Sequence, residues 1–291
     1  MRGRLCVSLV CLLAANSARG QATIEYDPPR RIGTVEDSEI REASGIAAAR
    51  RGDGFWLHND SGDTPRLFLI DRAGRVRGVA AVEGAAAKDW EDMASFELDG
   101  RAYLLAADVG DNFKLRPNVT LYIVEEPNVA ASGDGAVMKT SLPLVAAIPL
   151  VYEFGSANCE SVAVDTVTRT IYLVTKEPKS PCRVYAAPLV LESPAEPIMA
   201  RRVAELEVPT MLSMDISADG RRAVLLGHDA AYEFERACGA TWADAFARPS
   251  RVLRVPERKN GEAICYGLDG KSLYLTNEGV NQPLWEIPPR P

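Results

Sequence analysis

The sequence is poor in the residues and patterns that mark several classes of protein. It contains only two histidines, and no two of its six cysteines are spaced as Cys-x-x-Cys, so a zinc site built from these residues is not expected. No apolar run is long enough to cross a bilayer as a helix, and no long stretch has helical periodicity. Helix bundles, α/β folds and membrane-spanning proteins are therefore disfavoured.

Positive charge and aromatic residues are also scarce. The net charge is −7 at pH 7, and it becomes −10 when the three arginines of residues 1–20 are left out. Nucleic acid polymers and anionic membranes are poor partners for so acidic a chain. Aromatic residues make up 7% of the sequence, which is few for a cleft that stacks on sugar rings.

The N-terminus has the pattern of a secretory signal peptide. Arg2 and Arg4 precede an apolar run at 5–15, and small residues follow up to Gly20. We therefore predict a signal peptide over residues 1–20, a single domain over residues 21–291, and a secreted or periplasmic location.

Four cysteines lie in the predicted domain: Cys159, Cys182, Cys238 and Cys265. An even number in an oxidising compartment predicts two disulfides, although the sequence leaves three pairings open. Cys159 and Cys182 begin two strands of the same predicted unit, so we expect them to be bonded. Cys238 and Cys265 are then the remaining pair.

A hairpin signal recurs five times along the domain. Its clearest copy runs from Glu91 to Asp108, where Asp99-Gly100 separates two apolar runs. Each copy has a polar residue near the start of the first run and an acidic residue 16 or 17 positions later, at the end of the second run. The five pairs are Ser44 and Asp60, Glu91 and Asp108, Glu160 and Glu177, Ser213 and Asp229, and Glu262 and Glu278.

Further apolar runs follow each hairpin. A third run follows every copy, a fourth follows the first four copies, and residues 31–36 can supply the strand that the last copy lacks. Four antiparallel strands per unit, repeated around a ring, are typical of a β-propeller. We predict an all-β, five-bladed propeller whose last blade is closed by an N-terminal strand, with a six-bladed propeller as the alternative.

In a propeller the first strand of each blade lines the central channel, so the polar residues of the five hairpins converge on one face. So many carboxylates in one place repel one another unless they are protonated or bind a cation. Calcium takes six to eight oxygen ligands, and serine and glutamate supply oxygens. We predict a calcium ion held by Ser44, Glu91, Glu160, Ser213 and Glu262.

These five positions resemble the central ring of the five-bladed calcium-activated nucleotidases, the apyrases. The resemblance rests on Ala-Ser44-Gly, Trp90-Glu91-Asp-Met-Ala, Cys159-Glu160-Ser-Val-Ala, Leu212-Ser213-Met and Gly261-Glu262-Ala-Ile. In that family serine and glutamate hold a calcium ion beside the nucleotide phosphates. The whole chain also resembles an uncharacterised family of exported bacterial propellers, on the motifs Glu42-Ala-Ser-Gly-Ile, His58-Asn-Asp-Ser-Gly, Asp89-Trp-Glu-Asp and Asp108-Val-Gly-Asp-Asn.

The resulting functional hypothesis is a monomeric, exported, calcium-dependent hydrolase of phosphate esters or anhydrides. Its small-molecule or carbohydrate ligand binds where the polar and acidic ends of the five hairpins converge, which we call the acidic face. The candidates for catalysis are Asp60, Asp108, Asp111 and His228. The candidates for substrate binding are His58, Asn112, Arg116, Lys176, Glu177, Asp229 and Glu278. The alternatives are a non-catalytic binding propeller with structural calcium, and a glycoside hydrolase that uses paired carboxylates.

Overall fold

The structure is a computed structural model that describes residues 23–129, 136–179, 181–257 and 260–291. The described residues form twenty strands and one short helix, α1 (Trp242–Phe246), which confirms the predicted all-β class. The strands are β1 (Arg30–Val35), β2 (Ala43–Ala48), β3 (Phe55–Asn59), β4 (Arg66–Ile70), β5 (Val76–Glu83), β6 (Trp90–Leu98), β7 (Arg101–Asp108), β8 (Val119–Glu125), β9 (Met138–Tyr152), β10 (Cys159–Asp165), β11 (Thr170–Thr175), β12 (Cys182–Pro188), β13 (Ile198–Leu206), β14 (Met211–Ile216), β15 (Arg222–Gly227), β16 (Ala231–Glu235), β17 (Arg251–Leu253), β18 (Gly261–Tyr266), β19 (Leu273–Asn277) and β20 (Gln282–Ile287).

The strands pair antiparallel in five groups of four. Four groups are consecutive in sequence: β2 to β5, β6 to β9, β10 to β13, and β14 to β17. The fifth contains β18, β19 and β20, and β1 from the N-terminal end of the described chain pairs antiparallel with β20. The two ends of the domain therefore lie in one sheet.

Contacts between the groups run in a cycle. The first strand of each group touches the first strand of the next, in the order β2, β6, β10, β14, β18 and back to β2. At the outside, the long strand β9 pairs in parallel with β5 at one end and with β13 at the other, which joins three groups into a twelve-stranded sheet. The first strands thus surround the centre of the molecule.

The core lies between the faces of neighbouring groups. Each first strand is buried along nearly its whole length, so residues on both of its faces are packed against the core, including several polar ones. Trp56 and Trp90 are fully buried in one such layer, between the group that starts at β2 and the group that starts at β6. Burying side chains of this size is the main stabilising contribution to the fold.

The predicted disulfides are wrong, because all four cysteines are free. Three of them are buried, and Cys238 is exposed. Cys159 is in β10 and Cys182 is in β12, and β11 lies between these strands. Two strands separated by a third are about 10 Å apart, whereas a disulfide needs Cα atoms within about 7 Å. Cys265 is buried in β18, opposite Tyr274 of β19, and Cys238 is in the loop after β16.

Within the described ranges, no helix has both the length and the apolar character needed to cross a bilayer. The predicted signal peptide, residues 1–20, lies outside the described residues.

Candidate functional site

Each of the five central hairpins contains a β-bulge at the same place. The register between the first and second strands shifts by one residue near the start of β2, β6, β10, β14 and β18. The unpaired residues are Ser44, Glu91, Glu160, Leu212 and Glu262. Bulges redirect a side chain out of the strand pattern and are frequent next to functional sites. Four of the five residues predicted for the calcium ring therefore occupy equivalent positions.

Ser213 occupies a different position from the other four. It follows the bulged Leu212, and its hydroxyl donates a hydrogen bond to the Asp92 carboxylate at 3.1 Å. Because side chains in a strand alternate between faces, a displacement of one residue changes where the side chain points. Ser213 is fully buried below the acidic face.

Glu91 and Glu160 are both buried and lie close to each other. Burial, followed by the nearby Glu160 carboxylate, raises the pKa of Glu91. Glu160 also accepts hydrogen bonds from Asn158 and from the Lys176 ammonium, both at 3.0 Å. Lys176 offsets only part of the negative charge, and the raised pKa keeps Glu91 protonated at neutral pH in the absence of a further cation.

Asp60 and Asp89 join Glu91 to form a group that we call the acidic triad. One carboxylate oxygen from each residue lies within 4.8 Å of the others. Burial is the main cause that raises the pKa of Asp60 to about 7, and burial and Glu160 raise the pKa of Asp89. The carboxylates thus lack sufficient positive charge among the described residues. Their spacing suits one shared cation.

Gly110 lies against two carboxylates of the acidic triad, those of Glu91 and Asp89. A Cβ atom at Gly110 would lie 2.1 Å from Glu91 Oε1 and 2.4 Å from Asp89 Oδ2. Its own N–H donates to the carbonyl of Asp89, at 3.2 Å. The backbone passes so close to the two carboxylates that a larger residue at this position would displace them.

Asp108 and Asp111 hold the adjoining loop. The buried Asp108 carboxylate pairs with the Arg116 guanidinium at 2.8 Å and accepts the N–H of Asp89 at 3.2 Å. The Asp111 carboxylate accepts the N–H groups of Leu115 and Arg116, at 2.9 and 2.8 Å. Both side chains fix the loop after β7. The guanidinium of Arg116, a basic group of this loop, is already paired with Asp108.

The remaining predicted residues surround the triad at different depths. Glu177 pairs with Lys114 and Arg183, and the exposed Asn112 accepts a hydrogen bond from Asn158 at 3.2 Å. Burial raises the pKa of Glu262 to about 7, with Lys176 opposing and Glu278 reinforcing the rise.

Burial also raises the pKa of Glu278, with Glu42 adding to the rise. The Ser44 hydroxyl donates to the Glu91 carbonyl, directly beneath the triad.

Neither histidine lies in the triad. His58 is fully buried, its Nδ1 is 2.9 Å from the Asn59 carbonyl oxygen, and its ring meets Trp90 edge to face at 5.4 Å. Burial lowers the pKa of His58, so the imidazole is neutral at pH 7. His228 and Asp229 are exposed in the turn after β15, and no side-chain hydrogen bond within the described chain joins them to the triad.

Asp92 is an important residue that the sequence analysis left out. Its carboxylate is fully buried and accepts hydrogen bonds from Met93 N at 2.9 Å, Val162 N at 2.9 Å and Met214 N at 3.0 Å, in addition to the bond from Ser213. Burial raises the pKa of Asp92, and these bonds oppose the rise. One side chain of β6 is thereby tied to β10 and β14 directly below the acidic triad.

No protein-family model matches the chain, and none of the curated proteins matches it either. Among solved structures, the WD40 repeats of RRP9 are similar over 91% of this chain and 100% of that chain, with 9% identity and a TM-score of 0.50.

A gluconolactonase from Xanthomonas campestris covers 92% of this chain and 96% of its own, with 12% identity and a TM-score of 0.49. A chain of the nidogen/laminin complex covers 82% and 73%, with 12% identity and a TM-score of 0.45. The similarity to the WD40 repeats, together with the strand pattern, supports a β-propeller fold.

Proposed function

We propose that the protein is a five-bladed β-propeller that binds calcium on its acidic face. The five strand groups are its blades, and β1 closes the last one. The acidic triad of Asp60, Asp89 and Glu91 provides the first ligands of the ion. The observation that carries this proposal is that three carboxylate oxygens lie within 4.8 Å of one another, and two of these side chains pack directly against the backbone of Gly110.

The donor set favours calcium over other metals. All three members of the triad offer carboxylate oxygens, and Glu160 lies next to Glu91 and supplies another. Calcium accepts six to eight such oxygens in flexible geometry, whereas zinc in proteins is bound mostly by cysteine and histidine. Compared with the ring predicted from the sequence, the proposed site keeps Glu91 and Glu160 and adds two aspartates, Asp60 and Asp89. It leaves out Ser44, Ser213 and Glu262.

A bound cation at this face would take an anionic ligand. A hard cation binds phosphate or carboxylate oxygens and polarises a phosphoryl group for attack by water. Hydrolysis of a phosphate ester is therefore the second candidate function. The half-buried Glu262 carboxylate, beside the site and outside the triad, favours it because burial raises its pKa to about 7, and a carboxylate with a pKa near neutrality can act as a general base. We also propose export, which rests on the N-terminal sequence alone.

Calcium binding can be tested by thermal unfolding of the metal-free protein. Calcium at 100 times its Kd stabilises a folded protein by about 2.7 kcal/mol, which predicts a rise in Tm of roughly 5 °C or more. Glu91→Gln and Asp60→Asn should each remove most of this rise, because each removes a charged ligand.

Asp99→Asn is the matched control, since Asp99 is an exposed aspartate in the turn at the far end of the β6–β7 hairpin. It should respond to calcium like the wild type. A wild type whose Tm does not change with millimolar calcium would refute the proposal. A panel of phosphate esters and glycosides, with Glu262→Gln for comparison, then separates a hydrolase from a binding protein.

A further inference from the structure

Two large apolar side chains are exposed on the loop that follows β7. Phe113 is 84% exposed and Leu115 is 80% exposed, more than any other large hydrophobic side chain of the described residues. Both belong to the loop between β7 and β8, which also contains Gly110. Exposed apolar groups of this size are costly in water and often mark a binding site.

The loop is held in place even though these side chains are free. Its backbone is fixed by the Asp111 carboxylate, by a hydrogen bond of 2.6 Å from Asp111 N to Asn158 Oδ1, and by one of 2.8 Å from Ser156 Oγ to the Arg116 carbonyl. Lys114 Nζ lies 3.3 Å from Glu177. The loop therefore loses its conformational entropy when the protein folds and not when a ligand binds. This increases the affinity for a ligand that contacts Phe113 and Leu115.

The apolar pair is within reach of a ligand at the triad. Phe113 is three positions after Gly110 in the sequence, so their Cα atoms are at most about 11 Å apart. A small molecule with one end at the triad and the other at the loop spans this distance. The charge at the two ends differs, because a cation in the triad binds an anionic oxygen, while Phe113 and Leu115 offer only apolar surface.

We propose that the acidic face binds small anions that carry an aromatic or aliphatic group, with the anionic oxygens on the cation and the apolar group against Phe113 and Leu115. The inference rests on the proposed function and adds the class of ligand to it. The anionic group is a phosphate or a carboxylate, since both have the oxygens that a hard cation binds. In the same loop, Lys114 and Arg116 offset the negative charge of their partners Glu177 and Asp108, which reduces the repulsion of an anion.

The test compares ligands that differ only in the apolar group. Calorimetric titration of the calcium-loaded protein is made with phosphate and phenyl phosphate, and with acetate and benzoate, to distinguish the two anionic groups. We expect the phenyl compound of at least one pair to bind 10-fold or more tightly than its small partner. Phe113→Ala should bring that ratio close to one and leave the affinity for the small anion within a factor of two.

The control is Phe154→Ala. Phe154 is 59% exposed, but the Arg202 guanidinium covers its ring at 4.5 Å, so the variant should keep the wild-type ratio. Calcium binding without any preference for the phenyl compounds would overturn this inference and leave the proposed function standing. A wild type that binds no calcium would overturn both. If Phe113→Ala instead reduces only binding to vesicles of anionic phospholipid, the surface serves a membrane and the inference is wrong.

Discussion

Replacing Asp92 with asparagine is expected to lower the free energy of unfolding by about 3 to 5 kcal/mol, among the largest effects of any single substitution in this chain. Each oxygen of the Asp92 carboxylate accepts two hydrogen bonds, from donors on β6, β10 and β14. An asparagine keeps one oxygen and turns an NH₂ group toward the other two donors. At least one buried backbone N–H then loses its acceptor and faces another donor.

The matched comparison is Asp215→Asn, in β14. The Asp215 carboxylate is half-buried, and each of its oxygens accepts one backbone N–H, from Ile216 and from Tyr266, both at 2.8 Å. We expect its loss of stability to be smaller, about 1 to 2 kcal/mol. Urea unfolding of both variants measures the difference. A loss below 1 kcal/mol for Asp92→Asn, or one no greater than that of Asp215→Asn, would show that Asp92 does not tie the central strands together.

The stability of the metal-free protein is expected to fall as the pH rises from about 4 to about 7. Burial raises the pKa of Asp60 and of Glu262 to about 7. Between the ordinary pKa and the raised one, the folded protein keeps protons that the unfolded chain has lost, so unfolding becomes easier as the pH increases. After allowance for screening by solvent, the two groups together contribute about 2 kcal/mol.

Calcium should reverse this trend. The ion binds the deprotonated carboxylates, so its stabilising effect increases over the same pH range in which the metal-free protein weakens. Thermal unfolding of metal-stripped protein at pH 5, 6, 7 and 8, with and without calcium, measures both trends. The double variant Asp60→Asn and Glu262→Gln should reduce the slope of the metal-free curve, and other buried carboxylates such as Glu91 should keep part of it. A metal-free protein that becomes more stable between pH 5 and pH 7 would contradict the electrostatic description of the face.

Much of the architecture was predictable because its signals are local. Asp99-Gly100 and similar turns mark the hairpins, and the spacing of 16 or 17 residues places the ends of the hairpins. These signals predicted the all-β class and the pairing of the N-terminal strand with β20. They did not predict α1, a helix of five residues whose capping box at Thr241 and Asp244 is too short a signal to stand out.

The details of the site were less predictable. A β-bulge inserts a single residue, and nothing in the sequence around Leu212 and Ser213 shows which of the two is inserted. Asp60 and Asp89 are 29 positions apart, and only the closure of neighbouring strand groups brings them to Glu91. The disulfide prediction failed for a different reason. The sequence placed Cys159 and Cys182 at the starts of the first and third strands of one unit, and the width of the intervening strand β11 keeps them too far apart to bond.

Calcium binding by the acidic triad can be observed directly in a crystal structure of the protein grown with calcium. Anomalous scattering locates the ion without assumptions about its ligands. We predict one strong peak with oxygens of Asp60, Asp89 and Glu91 at about 2.3 to 2.6 Å, the distances of calcium sites in proteins. A triad without a peak at saturating calcium, or an ion bound away from Glu91, would contradict the account.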